Sequence, residues 1–281
     1  MLKQRVLTAL VLLLILLPAM FYGSPAPFCA VALALIAAGA WEWARLNGYG
    51  QPVALVCGMA CVLLCAASWW LGMLEQGSAL LWVVAGALWV VGGAWALHRG
   101  VSAWAGHWQL VRLLTGLLAL WLAWLAVAQA RVIGINFLLS ILVLVWAADI
   151  FAYFAGRALG GRFSRNKLAP SISPGKSWEG VWGGLIGVCI LAYVWQWADA
   201  ALSAAVPSLF SYLGRKDALL LPICIVFLTL MSVVGDLFES LVKRSAGVKD
   251  SSALLPGHGG VLDRVDALLP TLPLAMMFYS V

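Results

Sequence analysis

IGINFLLSILVLVWAADIFAYF, Ile133 to Phe154, decides what kind of protein this is. The run is apolar almost throughout and long enough to cross a bilayer, which takes roughly 20 residues as a helix. Hydrocarbon offers no water to backbone amides, so such a segment must satisfy them internally and is predicted to be helical. Its one charged residue is Asp149.

Runs of the same kind recur from end to end. They lie at Leu7–Tyr22, Phe28–Leu46, Val53–Leu74, Leu80–Leu97, Leu110–Ala130, Ile133–Phe154, Val181–Trp197, Leu219–Asp236 and Leu262–Ser280. The whole chain agrees, with 64% hydrophobic and 10% charged residues and a mean hydropathy of +1.00. A soluble domain is nearer half apolar. The expectation is an all-α, polytopic integral membrane protein with about nine transmembrane helices. Leu7–Pro18, behind Lys3 and Arg5, has the look of a signal-peptide core. It lacks a small-residue cleavage site and further spans follow, so it reads as an uncleaved first span. Ala200–Leu213, interrupted by Pro207, reads as an interfacial helix or a loop.

Positive charge orients the bundle. A cytoplasmic N-terminus with nine spans leaves only Arg131, Arg215 and Lys216 on the outer face. Lys3, Arg5, Arg45, Arg99, Arg112, Arg157, Arg162, Arg165, Lys167, Lys176, Lys243, Arg244, Lys249 and Arg264 fall inside. The net charge of +6 then describes one membrane face, suited to anionic headgroups and nucleotide phosphates, and not a nucleic-acid surface. The basic face is expected to be the cytoplasmic one. The six cysteines lie in apolar stretches. Cys57, Cys61 and Cys65 repeat along one helical face without histidine or carboxylate company, which fits packing better than zinc or a disulfide framework.

The polar residues are unevenly spread. Residues 1–130, a lead-in of transmembrane helices, hold only Glu42 and Glu75 of the 11 acids and no dense polar cluster. Their tryptophans (Trp69, Trp70, Trp82, Trp89, Trp95, Trp104, Trp108) are expected to face lipid or the interface. Residues 131–281, the expected catalytic region, carry three polar clusters. In the first, Asp149, Tyr153 and Arg157 share one stripe of a helix leaving the membrane. An ionisable residue inside a span is by default a functional candidate, though a structural pair with Arg157 is the bland alternative. A basic, glycine-broken loop leads on to SPGKSWEG, Ser173 to Gly180, where Ser173 as cap and Pro174 as first residue predict a helix start beside Lys176. Gly180, Gly183, Gly184 and Gly187 form a small-residue stripe for close helix contact.

In the second cluster, GDLFESLVKR, Gly235 to Arg244, Asp236, Glu239, Ser240 and Lys243 fall on one helical face with the cations nearer water. The third is PGHGGVLDRVD, Pro256 to Asp266. Glycines there allow a sharp turn and close backbone approach. The helix that follows bears Asp263 and Asp266 one turn apart with Arg264 beside them. Two carboxylates so spaced can share a hard divalent ion with a substrate phosphate.

Together, SLVKRSAGVKDSSALLPGHGGVLDRVD, Ser240 to Asp266, resembles the signature of the phosphatidate cytidylyltransferases, the CDP-diacylglycerol synthases. The positions carrying the likeness are Ser240, Lys243, Arg244, Lys249, Asp250, Pro256, His258, Gly259, Gly260, Asp263, Arg264 and Asp266. SPGKSWEG resembles the companion motif, with Gly175 where a second lysine is common. The likeness is strong over about residues 149–270. It implies transfer of CMP from CTP to phosphatidic acid, giving CDP-diacylglycerol and pyrophosphate in phospholipid biosynthesis, with Mg²⁺ or Mn²⁺. A second cation and a homodimer are both compatible with it.

Under that resemblance Asp236 and Asp263 hold metal, with Asp266 and Asp149 as further metal or neighbouring groups. Lys176, Lys243, Arg244, Lys249 and Arg264 neutralise phosphates, with Lys243 and Arg264 nearest the chemistry. Ser240 donates a hydrogen bond to a phosphate or merely caps locally, and His258 and the Gly259–Gly260 backbone bind substrate. Phosphoryl chemistry of this type rests on positioning and charge neutralisation, which accounts for acids and cations without a Ser–His–Asp set. A transporter would place its charges near the midplane in two similar halves, unlike this chain. A polyprenol transferase or a CTP-dependent lipid kinase is the enzymatic alternative.

Overall fold

The computed structural model describes residues 2–164 and 167–281; Arg165, placed above on the cytoplasmic face, lies outside the described residues. Eight helices are long and apolar enough to span a membrane. They are α1 (Leu2–Phe21), α2 (Ala26–Leu46), α3 (Gln51–Trp70), α4 (Ala79–Ala105), α5 (Gln109–Ile133), α6 (Ile135–Leu159), α7 (Trp178–Ala201) and, after the short α8 (Leu209–Lys216), α9 (Leu220–Ser245). The stretch predicted as a ninth span is broken instead. It forms one turn, α10 (Leu262–Val265), and then the 13-residue α11 (Leu268–Ser280).

Proline chemistry explains the break. Pro270 has no N–H to return to the Asp266 carbonyl, and its ring crowds that carbonyl. At 1.5 Å per residue α11 reaches only about 20 Å, short of a bilayer's hydrocarbon. Its Leu269–Met276 face is buried on all sides, against α4, α5 and α9. The last element is therefore a core plug within the bundle. The apolar stretch around Pro207 becomes α8, capped by Ser208. Asp199, at the end of α7, accepts from Ser208 and Ser211 and so fixes that corner.

The tightest helix pair is α6 with α7, and the glycine stripe makes it possible. A Cβ on Gly184 would stand 2.8 Å from the Ala148 carbonyl oxygen, and one on Gly180 would stand 3.0 Å from that of Ala152. The helix start expected at Ser173 lies four residues late. Ser177 is the cap, accepting from Gly180 N at 3.2 Å, while Ser173 closes a small bridge to Ala169. That bridge absorbs Ser173–Gly175 into a turn, so Lys176 ends up immediately before the cap.

The tryptophans divide. Trp70 and Trp108 are exposed as expected, but Trp82, Trp89 and Trp104 are buried in the first half. The Trp82 indole N–H reaches Gln129 Oε1 at 3.1 Å, which offsets the cost of burying it. Trp89 and Trp104 pack edge-on against Phe238 of α9. Contacts of this kind cross the boundary placed at residue 130. Cys57, Cys61 and Cys65 are buried on α3, which packs on α2.

Candidate active site

Asp236, Ser240 and Lys243 leave α9 from one face, as the spacing requires. Ser240 Oγ donates to Asp236 Oδ1 at 3.3 Å, and Lys243 Nζ lies 2.5 Å from Glu239 Oε2 one turn below. Lys243 also reaches across to α10, where it donates to Asp263 Oδ1 at 2.5 Å. Lys176, arriving from the turn before α7, pairs with Asp236 Oδ2 at 2.5 Å. Motifs separated by 60 residues and more thus meet as alternating acids and ammonium groups.

The glycine turn is built around Asp263. Its Oδ2 accepts from Gly260 N at 2.7 Å, Ser251 N at 2.9 Å and Ser251 Oγ at 3.0 Å. Burial alone would raise this carboxyl, but hydrogen bonds from Lys243, Gly260 and Ser251 outweigh it and hold Asp263 below the ordinary carboxylate range. Gly259 has φ +82°, a left-handed geometry that favours glycine. At Gly260 the constraint is space: a Cβ would collide with Ser251 Oγ and Glu42 Oε1. The Gly260 amide is engaged by Asp263. His258 supplies its carbonyl to Arg264, which grips it through Nε and Nη2 at 3.1 and 2.6 Å. The His258 Nδ1 is buried without a partner among the described residues.

A cleft of about 380 Å³ collects Asp149, Asp236, Ser240, Lys243, Arg244, Lys249, Asp250, Asp263, Arg264 and Asp266. Arg244, Lys249 and Arg264 stand exposed at its mouth. A second cavity of about 420 Å³ runs between α6, α7 and α9. It shares Asp149 and Asp236 with the first and adds Tyr153, Arg157, Lys176 and the small-residue wall of Ala152, Gly180 and Gly184. Arg157 Nη1 donates to the Tyr153 hydroxyl at 3.0 Å, so the bland Asp149–Arg157 pair is not formed.

Among the described residues no three acids, histidines or cysteines make a ready-formed metal site. Asp149 and Asp266 nevertheless lie within electrostatic reach of Asp236, with Lys176 as the common counter-charge. This donor set fits Mg²⁺ better than it fits a cage-bound ion, because Mg²⁺ usually takes one or two carboxylates and completes its shell with water and substrate phosphate.

Sequence reasoning passed over Glu42, and with it Ser251. Glu42, on α2, is fully buried, and both its oxygens are taken by the loop that carries the third motif. The available signal was its position. It is an acid inside an apolar run, which ought to have marked it as Asp149 was marked.

Residues 3–281 match the model of the cytidylyltransferase family. A phosphatidate cytidylyltransferase of Pseudomonas aeruginosa is 42% identical over 278 residues, covering 97% of this chain and 95% of that protein. One from Haemophilus influenzae is 36% identical over 308 residues, 99% of each chain. One from Bacillus subtilis is 41% identical over 140 residues, half of this chain. The match runs through the lead-in helices as well as the motifs, and on that ground the chain belongs to the cytidylyltransferase family.

Proposed function

We infer that this chain is a phosphatidate cytidylyltransferase, transferring CMP from CTP to phosphatidic acid in the membrane, and that the two joined cavities are its active site. One observation carries the reading. A polar, cation-rimmed cleft and a groove with small-residue walls share Asp149 and Asp236, which lie ten and nine residues before the ends of α6 and α9. A triphosphate needs the first and a lipid phosphate with its glycerol needs the second. The phosphatidate oxygen attacks the α-phosphorus of CTP, the bond to the β-phosphate breaks, and pyrophosphate leaves with the electron pair.

Arg244, Lys249 and Arg264 at the cleft mouth suit the triphosphate. Lys176 and Arg157 in the groove suit the lipid phosphate. Lys243, between Glu239 and Asp263, is placed to neutralise charge developing where the two meet. The Ser240 hydroxyl adds a hydrogen bond to substrate oxygens, while His258, which lines neither cavity, supports the turn through its carbonyl's bonds from Arg264. No strong base is required of the protein, because a phosphate monoester is largely ionised at neutral pH, its second pKa being about 6.

Asp236 and Asp263, with Asp149 and Asp266 as further ligands or neighbouring groups in the same cleft, would hold Mg²⁺ or Mn²⁺, which when bound supplies charge neutralisation to the phosphates. Lys176 and Lys243 now cover those carboxylates and would turn to phosphate as substrate enters. The concentration of Lys and Arg on the motif-bearing face supports a cytoplasmic opening in a bacterial inner membrane.

The test is product analysis with purified protein, phosphatidic acid, Mg²⁺ and CTP labelled at either the α- or the γ-phosphate. Label from the α-position should appear in the lipid, with an equal amount of pyrophosphate released. Lipid labelled only from the γ-position would make the protein a kinase and sink the proposal.

A further inference from the structure

We propose that Glu42, from the lead-in helices, is a positioning residue for the reaction, holding the catalytic turn so that Asp263 faces the cleft. The proposal rests on the role given to Asp263 above. Glu42 Oε1 accepts from Ser252 Oγ at 2.6 Å and Val261 N at 2.9 Å. Its Oε2 accepts from Ser251 Oγ at 3.1 Å and Leu262 N at 2.7 Å. Each oxygen therefore carries one hydroxyl and one backbone amide. Both ends of the turn, Ser251–Ser252 and Val261–Leu262, are pinned to a residue some 210 positions earlier.

The link to chemistry is one atom long. Ser251 Oγ lies between Glu42 Oε2 and Asp263 Oδ2, at 3.1 and 3.0 Å. A hydroxyl has one proton to give, so the two carboxylates share it. Ser251 N and Gly260 N, both inside the pinned segment, make the other bonds to Asp263 Oδ2. Glu42 thus sets where the donors to Asp263 stand, without itself lining either cavity. A buried carboxylate serving only to hold a loop could be replaced by many arrangements. This one shares the Ser251 hydroxyl with Asp263 Oδ2 while Lys243 holds Oδ1, so that Asp263 is held between a fixed hydroxyl and a fixed ammonium. It also gives the first half of the chain a part in the site.

Glu42→Gln is a sharp probe. The amide NH₂ must occupy one oxygen position, where hydroxyls can rotate away but the Val261 or Leu262 amide cannot. Full-length protein in nanodiscs is compared with wild type in turnover against CTP and against Mg²⁺, in CTP retention by equilibrium dialysis without lipid, and in melting temperature. The expected result is a rise of at least about tenfold in the CTP KM or half-saturating Mg²⁺, with weaker CTP retention, in protein that remains folded. A scaffold role would lower the active fraction and leave those constants unmoved. That outcome overturns the proposal.

Should Glu42→Gln fail to fold, Ser251→Ala carries the test, since it removes the shared hydroxyl and keeps both amide bonds to Glu42. The same shift is expected, and unchanged constants there are equally fatal. In a folded double variant the shift should not exceed that of Glu42→Gln alone, because both act on one atom; multiplied effects refute the relay. Asp263→Asn is run alongside. Ordinary turnover in that variant refutes the role of Asp263, whereas loss there with an unaltered Glu42→Gln refutes only the positioning.

Discussion

Replacing Asp263 with Asn changes one atom and separates two accounts of this residue. In the structure Oδ1 accepts from Lys243, and Oδ2 accepts from two backbone amides and the Ser251 hydroxyl. An Asn side chain must turn its NH₂ toward one of these sets, and either choice faces a donor with a donor. Leaving a buried partner unsatisfied costs about 1–3 kcal/mol of stability. This is more than a helix-capping acid would show, since Asn caps about as well as Asp. Asp263 stands two positions past Val261, the cap position of α10, and accepts from Gly260 and Ser251 rather than from the first-turn amides, so N-capping is not what it does.

The catalytic loss should be separable from that cost. Removing the charge that holds Lys243, and a proposed ligand, should lower CTP-dependent turnover at least roughly a hundredfold, a barrier rise of about 2.7 kcal/mol. The assay is formation of labelled lipid by purified Asp263→Asn beside wild type, with a Mg²⁺ titration and matched melting curves. Turnover within a few-fold of wild type at ordinary Mg²⁺ would refute the reasoning and leave Asp236 without its partner.

Thorough chelation with EDTA should abolish turnover, while replacing all six cysteines should preserve it; activity that survives chelation removes the metal from the mechanism. Single cysteines at Lys176 and Lys249 should react with a membrane-impermeant thiol reagent from the same side of sealed vesicles. Opposite labelling of the two lysine positions would exclude a shared site. Gly184→Val should part α6 from α7, since even its Cβ would press on the Ala148 carbonyl. Overpacking of this sort costs typically about 1–3 kcal/mol, read as a lowered melting temperature, with phosphatidate KM rising before CTP KM. The Asp263 carboxyl is depressed, so the stability it adds is present above its unfolded value and is lost as pH falls through the folded one. Asp263→Asn should accordingly flatten the acid side of the stability curve, seen as melting temperature against pH.

Ile133–Phe154 was enough to announce a membrane helix because the bilayer leaves a long apolar segment only one way to satisfy its backbone. Asp236, Ser240 and Lys243 were legible as one face because helical spacing fixes direction once the helix is granted. The glycine stripe of α7 could be read for the same reason. The end of the chain could not, because hydropathy measures how apolar Leu262–Ser280 is and does not register that Pro270 interrupts its hydrogen bonds. Nor could the helix start at Ser177, where two serines compete and the bridge from Ala169 decides between them. The partners of each charge were also beyond reach. Which lysine meets Asp236, which meets Asp263, and that Glu42 grips a turn more than 200 residues away are facts of packing. They depend on how α2, α7, α9 and α10 are brought together, and local periodicity carries no record of that. Residue chemistry fixed what the site is made of, and the bundle fixed which groups stand within hydrogen-bonding distance.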